Sequence, residues 1–286
     1  MKIVLSRKGF DSQSGGMPNP ILPDGTLLAL PIPSEGGNVK YNDLVYGEKT
    51  YLDIIQELNS NIANKLLNTY CHVDPDLNNC YRNPVNNWKP AFGQSNLSEK
   101  HLEKQKIGKG DIFLFYGWFR QTKYDKKGKL RFVRKLPDNA NTIDKHVIYG
   151  YMEVGEKISN SKQILERYSF HPHAQEKYIV LPDNALYVPA DQLSIDEQIK
   201  GYDWLKYQPI RQLTKERHRR SEWTLPDCFK TIPITYHEKP GYGWIQGNDY
   251  FKSAYRGQEF VLEANKEVLR WVKEVISGKK EDGDIG

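Results

Sequence analysis

Residues 108–120 read G-K-G-D-I-F-L-F-Y-G-W-F-R and predict the strongest β-strand of the chain. Aromatic and branched side chains fill this stretch, and such residues favour a pleated, buried strand. Successive side chains of a strand point to opposite faces. One face therefore carries Phe113 and Phe115, and the other carries Leu114 and Tyr116. By composition both faces are mostly core.

Further stretches predict strands before and after this one. Residues 2–5 form a short apolar run, and K-K-G-K at 126–129 can turn the chain back into L-R-F-V-R at 130–134. H-V-I-Y-G-Y-M-E-V at 146–154 and A-L-Y-V at 185–188 are the next candidates. The middle of the chain therefore predicts a meander-like sheet.

Helical spacing of apolar residues appears on both sides of these strands. It predicts a helix over 51–68 and a final helix over 265–277. A short helix is expected over 98–105, with Ser98 as its N-cap, and residues 192–206 are also interpreted as helical. The fold class predicted is α+β, with a central mixed or antiparallel sheet flanked by helices.

No internal repeat or linker divides the sequence. We therefore expect a single domain over residues 1–278 and a frayed tail over 279–286. The formal net charge of +5 permits a polyanionic partner without requiring one. Three cysteines without a C-x-x-C pair suit a reducing compartment, and no apolar run approaches the roughly 18 residues that span a bilayer. A soluble cytoplasmic protein with no membrane partner is expected.

A polar loop, S-R-K-G-F-D-S at 6–12, follows the first predicted strand. Its Arg7 and Lys8 offer cations for a phosphate, and its Asp11 offers a carboxylate for a proton or a developing cation. The candidate ligand-binding residues here are Ser6, Arg7, Ser12, Gly15 and Gly16. The alternative is a solvated loop with incidental charges, because a glycine-rich charged loop is a weak pattern and no nucleotide fingerprint is present.

H-V-D-P-D at 72–76 places His72, Asp74 and Asp76 at alternate positions, so an extended backbone would put all three on one face, which suits an acid–base pair or a metal. H-P-H adds His171 and His173, and His72 and His171 are candidates for contacts to the substrate. The alternative is a turn whose Asp side chains cap backbone amides. The sequence lacks the motifs of zinc deaminases and zinc proteases, so we assign no metal ligand and expect no cofactor.

The end of the 108–120 strand carries residues that can stack or pair with a base, Trp118 and Arg120 beside Tyr116. Gln94 has an amide able to read a base edge or to satisfy a loop. Two basic runs are candidates for contacts to a nucleic-acid backbone, although such runs are usually solvated. Their proposed contact residues are Lys123, Lys126, Lys127, Arg217, Arg219 and Arg220.

An ordered series of motifs runs nearly from end to end of the chain. It comprises S-R-K-G-F-D-S, P-I-L-P-D-G, H-V-D-P-D, W-K-P-A-F-G-Q, the 108–120 strand, H-V-I-Y-G-Y-M-E-V, H-P-H and G-Q-E-F-V-L. The series resembles the nucleotide-modification-associated domain type 3 family of bacteria and phages. Met17 and Tyr116 depart from the pattern, where a small residue and Phe are expected, and neither departure affects a chemical role.

The resemblance implies involvement with modified DNA bases in phage–host conflict. Relatives of this kind are linked to excision of hypermodified pyrimidines, so we expect a DNA glycosylase that acts on hydroxymethylated or glucosylated bases of phage DNA as antiviral defence. Asp11 is the first candidate for the catalytic carboxylate, Asp74 and Asp76 are reserves, and Lys8 is a possible Schiff-base nucleophile.

Two alternatives stay open at this point. The pair of strands G-D-x-x-x-x-Y and G-Y-M-E-V is similar to strands of PUA-like and EVE-like barrels, which read modified bases. That similarity suits a reader without catalytic activity. A metal-dependent nuclease built on the His and Asp residues of 72–76 and 171–173 is the other alternative. Protein partners are not predicted.

Overall fold

The structure, a computed structural model, describes residues 1–82, 85–134, 143–255 and 257–279. A mixed nine-stranded sheet curls into a half-barrel with helices packed around it, so the predicted α+β fold class is confirmed. Within the described ranges, no helix is long and apolar enough to cross a membrane.

The strands form one central sheet and several sheets of two or three strands. In chain order they are β1 (Lys2–Arg7), β2 (Asn19–Ile21), β3 (Ile32–Ser34), β4 (Val45–Tyr46), β5 (Lys49–Thr50), β6 (Tyr70–His72), β7 (Phe92–Gln94), β8 (Ile112–Tyr124), β9 (Leu130–Phe132), β10 (Asp144–Ile158), β11 (Ala185–Pro189), β12 (Gln192–Leu193), β13 (Asp196–Lys200), β14 (Tyr202–Trp204), β15 (Glu222–Trp223), β16 (Gly243–Trp244), β17 (Phe251–Lys252) and β18 (Glu259–Glu263). The central sheet runs β18–β1–β8–β10–β11–β7, with β2 and β9 paired to β8 and β14 paired to β10.

Strand β8 lies inside this sheet, as its sequence predicts. It is parallel to β1 and β2 and antiparallel to β9 and β10. Phe113 and Phe115 pack with Phe92 on one side, while Leu114 and Tyr116 belong to the core on the other side, so the predicted faces are confirmed. Each such side chain contributes about 1.5–3 kcal/mol when it is fully removed from water.

Helices pack around the sheet. The bounds are α1 (Tyr51–Leu58), α2 (Ser60–Leu66), α3 (Asn96–Lys104), α4 (Ser161–Tyr168), α5 (Glu176–Ile179) and α6 (Lys266–Ser277), with 3-10 turns at Pro172–Ala174, Pro209–Arg211 and Asp227–Thr231. The final predicted helix is confirmed as α6, which Asn265 caps by accepting the N–H of Val268 at 2.9 Å. Of the predicted frayed tail, residues 280–286 lie outside the described residues.

The single helix predicted over 51–68 is wrong, because the chain forms two helices there. Asn59 is extended, with φ −157°, and interrupts the helical run. Its side-chain oxygen accepts the N–H of Ile62 at 3.3 Å and begins α2. An Asn side chain competes for backbone hydrogen bonds in this way, and apolar spacing alone does not reveal the break.

Two further expectations about helices are wrong. Residues 192–206 contain strands β12, β13 and β14, and β14 pairs with β10. Gly201 allows the chain to pass close to Ala190, because a β-carbon there would lie 2.0 Å from the carbonyl oxygen of Ala190. Ser98 is not an N-cap, since α3 begins at Asn96 and Ser95 takes the cap position. The strand partner of β14 is β10, about 50 residues earlier in the sequence. The cap of α3 is Ser95, three residues before the predicted Ser98.

Candidate functional site

A cavity of about 770 Å³ lies where strands β1 and β8 meet the loop that follows β1. Arg7 ends β1 and Asp11 lies in the loop, while Trp118 comes from β8; all three line the cavity. Arg219 and Arg220, from the basic run, line it too. We call this space the arginine cavity. It brings together residues that are more than 200 positions apart in the sequence.

Arg220 covers the indole of Trp118, with the guanidinium carbon 4.3 Å from the centre of the ring. Burial lowers the pKa of Arg220, and the carboxylate of Asp144 opposes that shift. Arg7 Nε and Trp118 Nε1 are buried and find no hydrogen-bond partner among the described residues. Because buried polar atoms are nearly always paired, unpaired donors beside a cavity are candidates for contacts to a ligand.

Asp11 lines the cavity and also stabilises the turn that follows it in the chain. Its Oδ1 accepts the N–H groups of Gln13 at 2.8 Å and Ser14 at 2.7 Å. No hydrogen bond or ion pair joins Oδ2 to a residue in the described ranges. The carboxylate is therefore fixed by one oxygen and has the other available.

The start of β10 adds two lining residues that the sequence interpretation missed, Asp144 and His146. Asp144 Oδ1 accepts from Arg120 Nε at 2.7 Å, and His146 Nδ1 accepts from the indole N–H of Trp223 at 3.0 Å. Burial holds the pKa of His146 well below its ordinary value, so the ring is neutral at neutral pH. Polar residues two apart at the start of an apolar strand are the signal that could have indicated them.

Lys8 and Gln94 do not line the arginine cavity; both contact Glu259 instead. Lys8 Nζ lies 2.7 Å and Gln94 Nε2 2.6 Å from Glu259 Oε1. Ser6 pairs with Glu259 across β1 and β18, and Ser6 Oγ is buried without a partner in the described part of the chain. Sequence analysis did not identify Glu259. The signal that could have indicated it is a carboxylate that begins an otherwise apolar strand, E-F-V-L.

Three of the predicted ligand contacts have other surroundings. Tyr116 is buried in the core, and burial raises the pKa of its phenol. A β-carbon at Gly15 would lie 2.2 Å from the ring of Phe10, and one at Gly16 would lie 3.8 Å from Ile62. These glycines, both with positive φ, support the turn and do not line the cavity.

The remaining predicted nucleic-acid contacts lie outside the arginine cavity. Arg120 pairs with Asp144 and lies over the ring of Phe132, 5.5 Å from its centre. The hairpin between β8 and β9 exposes a group of lysines, and the basic run exposes one further arginine. These residues are Lys123, Lys126, Lys127 and Arg217. The two basic runs therefore differ. Arg219 and Arg220, from the run at 215–220, line the cavity, whereas the lysines of the hairpin do not.

The H-V-D-P-D and H-P-H motifs meet at a second site, apart from the arginine cavity. His72, Asp74, His171 and His173 form a buried group that we call the histidine cluster. His72 Nε2 lies 3.8 Å from Asp74 Oδ2, and His171 Nε2 lies 3.4 Å from Asp74 Oδ1. Burial lowers the pKa of His72 to about 4 and of His173 to about 3. Burial opposes the charge of Asp74, yet the nearby His171 ring and the other imidazoles lower its pKa to about 2.

Asp76 does not join the histidine cluster. Its carboxylate forms a buried ion pair with Arg82 and accepts from the indole of Trp88 at 3.1 Å, so both oxygens are engaged. Burial raises the pKa of Asp76. The expectation that residues 72, 74 and 76 share one face therefore fails at the third position, because the backbone of Asp76 pairs with Ala91 and directs its side chain to Arg82.

These features define an α+β protein with a cation-lined cavity at one end of a half-barrel sheet. The chain belongs to the nucleotide modification associated domain 3 (Nmad3) family, whose model matches residues 2–263. The family resemblance in the sequence is thereby confirmed. A search of curated proteins and a search of solved structures each returned no match.

Proposed function

We propose that this protein is a DNA glycosylase that removes a modified base and uses the arginine cavity as its active site. Membership of a family associated with nucleotide modification supports a nucleic-acid substrate. The observation that carries the proposal is the convergence of Asp11, Trp118 and Arg220 on one cavity of about 770 Å³. That volume falls within the range of about 300–1,000 Å³ that is usual for pockets that bind small ligands or cofactors.

A base in duplex DNA is reached only after it leaves the stack. The indole of Trp118 provides a surface on which the extruded base stacks, and a base–aromatic contact contributes about 1–3 kcal/mol. Arg219 is exposed at the cavity and suits a phosphate of the backbone. Arg7 Nε, which has no hydrogen-bond partner among the described residues, is a donor for the sugar, the phosphate or the base.

The chemistry assigned to Asp11 follows from its fixed carboxylate. As the C1′–N bond breaks, its electron pair leaves with the base and the sugar becomes cationic. Asp11 Oδ2 stabilises that cation and orients a water molecule, whose oxygen bonds to C1′ and whose proton goes to the base. Arg7 and Arg220 stabilise the negative charge on the departing base before it is protonated.

Incubation with DNA that contains hydroxymethylated or glucosylated cytosine tests the proposal. Abasic sites, revealed by alkaline strand cleavage, are expected with modified DNA and not with unmodified DNA. Asp11→Asn should lower the rate at least about 100-fold, as loss of one charge-stabilising group does in other enzymes. Asp196→Asn is the matched control, because Asp196 Oδ1 also accepts the N–H two residues later, at 3.1 Å, and Asp196 does not line the cavity.

Failure to form abasic sites with several modified substrates would overturn the proposal. So would full activity of Asp11→Asn. Lys8 Nζ is ion-paired with Glu259, so we propose attack by water rather than by an amine. Borohydride should then trap no covalent protein–DNA adduct.

A reader without catalytic activity is the second candidate, and the two hydrogen bonds to Asp11 Oδ1 favour it. They give this carboxylate a structural role that needs no chemistry. The reader hypothesis predicts binding to modified DNA that leaves the bases intact and survives Asp11→Asn.

Product analysis with and without EDTA also tests the nuclease alternative. The histidine cluster is buried, which does not favour direct attack on a DNA strand.

A further inference from the structure

We propose that the histidine cluster is a binding site for one divalent transition-metal ion, with His72, Asp74 and His173 as ligands. This inference does not rest on the proposed glycosylase activity. One ligand atom from each of the three residues lies within 4.8 Å of the others. A tetrahedral ion with bonds of about 2.0–2.2 Å holds its ligand atoms roughly 3.3–3.6 Å apart. His72 Nε2 and Asp74 Oδ2, at 3.8 Å, are close to that separation, and a pair at the 4.8 Å limit would close by about 1.2–1.5 Å when the ion binds.

Hydrogen bonds leave the required lone pair on His173. Asn184 Nδ2 donates to the carbonyl oxygen of His173 at 3.0 Å, which turns Asn184 Oδ1 toward the ring. That oxygen lies 2.7 Å from His173 Nδ1, so Nδ1 carries the proton and donates it to Asn184. His173 Nε2 is then unprotonated. Metal-binding histidines are oriented by a hydrogen bond from the second ring nitrogen in this way.

The other two ligands are also positioned by neighbouring groups. Asp74 Oδ1 accepts the N–H of Gly93 at 2.7 Å, which leaves Oδ2 for an ion. His72 Nδ1 lies 3.4 Å from the hydroxyl of Tyr178, so its Nε2, on the side of Asp74, is the ligand nitrogen. A β-carbon at Gly93 would lie 2.2 Å from the His173 ring, so glycine at this position allows the ring to approach.

A second, independent observation is the charge of Asp74. This carboxylate is 5% exposed, and no Lys or Arg in the described ranges forms an ion pair with it. A buried carboxylate without a cationic partner is costly, and a bound cation would offset that cost. His171, which is fully buried, points Nε2 at the same carboxylate from 3.4 Å without a hydrogen-bond partner in the part of the chain described.

His171 acts as a positioning residue rather than a ligand. Its Nδ1 accepts the N–H of His173 at 3.2 Å, so Nε2 carries the proton and faces Asp74. Two imidazoles and one carboxylate form a donor set that suits zinc, iron, manganese or cobalt better than calcium or magnesium.

Titration of the chelator-treated protein with Co²⁺ tests the proposal, because cobalt bound by nitrogen and oxygen gives visible absorption bands. One equivalent is expected to bind, and Zn²⁺ should displace it and raise the unfolding temperature. His72→Gln and Asp74→Asn should abolish the bands, and His171→Gln should weaken Co²⁺ binding about 10–100-fold. His101→Gln is the matched control, since His101 lies outside the cluster, where it contacts Thr235 at 3.2 Å.

Folding of each variant is checked by near-ultraviolet circular dichroism. His72 keeps 11% side-chain exposure, so His72→Gln is the variant least at risk of misfolding. The absence of bands and of any metal-dependent shift in the wild-type unfolding temperature would overturn the proposal. Undiminished Co²⁺ binding by folded His72→Gln would do the same.

Discussion

The guanidinium of Arg220 lies over the indole of Trp118, 4.3 Å from the centre of the ring. A cation–π contact of this kind contributes about 0.5–2 kcal/mol, depending on its exposure to water. It also occupies one face of the indole. In the proposed function, a base that stacks on Trp118 must therefore displace Arg220 or use the other face of the indole.

Replacement of Trp118 tests whether the indole is a stacking surface. Trp118→Ala should weaken binding to modified DNA about 10–100-fold, because one base–aromatic contact contributes about 1–3 kcal/mol. Trp118→Phe should retain most of the affinity. Fluorescence anisotropy of a labelled oligonucleotide measures both changes.

Trp244 provides the matched control for that experiment. A cation also lies near this indole, since Lys230 Nζ is 5.5 Å from its ring centre, yet Trp244 does not line the cavity. Trp244→Ala should leave DNA affinity unchanged. Equal losses in the two alanine variants would show that the effect comes from folding rather than from stacking.

Salt dependence distinguishes the two basic runs. Each phosphate neutralised by a cation contributes about 0.9 to the slope of log affinity against log salt in duplex DNA. Arg219→Gln should therefore lower the slope by about one, because Arg219 is exposed and lines the cavity. Lys126→Gln should leave the slope unchanged, since Lys126 lies at the β8–β9 hairpin. The reverse result would place the DNA on the hairpin.

The sequence allowed prediction of elements whose signal is local. Strand β8 and its two faces follow from alternation, and helix α6 follows from apolar spacing. The strands at 192–206 could not be predicted in this way, because their partners are β10 and the chain near Ala190. For the candidate site, Asp11 and Trp118 are predicted from two separate motifs, and both line one cavity.

Other parts of the site depend on long-range contacts that a single sequence does not display. Glu259 meets Lys8 and Gln94 because β18 pairs with β1, a relationship between the two ends of the chain. His173 reaches Asp74 only because Gly93 makes room for its ring. Such groupings follow from sheet topology rather than from spacing within a motif.

The Lys8–Glu259 ion pair should be important for stability. Its side chains are 10% and 1% exposed, so Lys8→Ala leaves a buried carboxylate without its cation. Such a loss costs about 3–5 kcal/mol of unfolding free energy, which urea denaturation measures. Lys162→Ala removes a cation from the exposed pair with Glu166, at 3.8 Å, and should change stability by less than about 1 kcal/mol. Similar small changes in both variants would contradict this expectation.

Stability should fall as pH drops below the ordinary histidine pKa of about 6.5. His146 accepts a hydrogen bond from Trp223, His237 accepts one from the N–H of Ala254, and burial lowers both pKa values, that of His237 to about 4. In this pH range the two histidines are protonated in the unfolded chain and neutral in the native state. Each of them therefore lowers the free energy of unfolding by up to about 1.4 kcal/mol for each pH unit of acidification. For His237 the loss continues from pH 6.5 down to about 4. Urea denaturation across this range should show a shallower pH slope for His237→Gln than for the wild type, whatever its stability at pH 7, and an unchanged slope would refute the assignment of a neutral native ring.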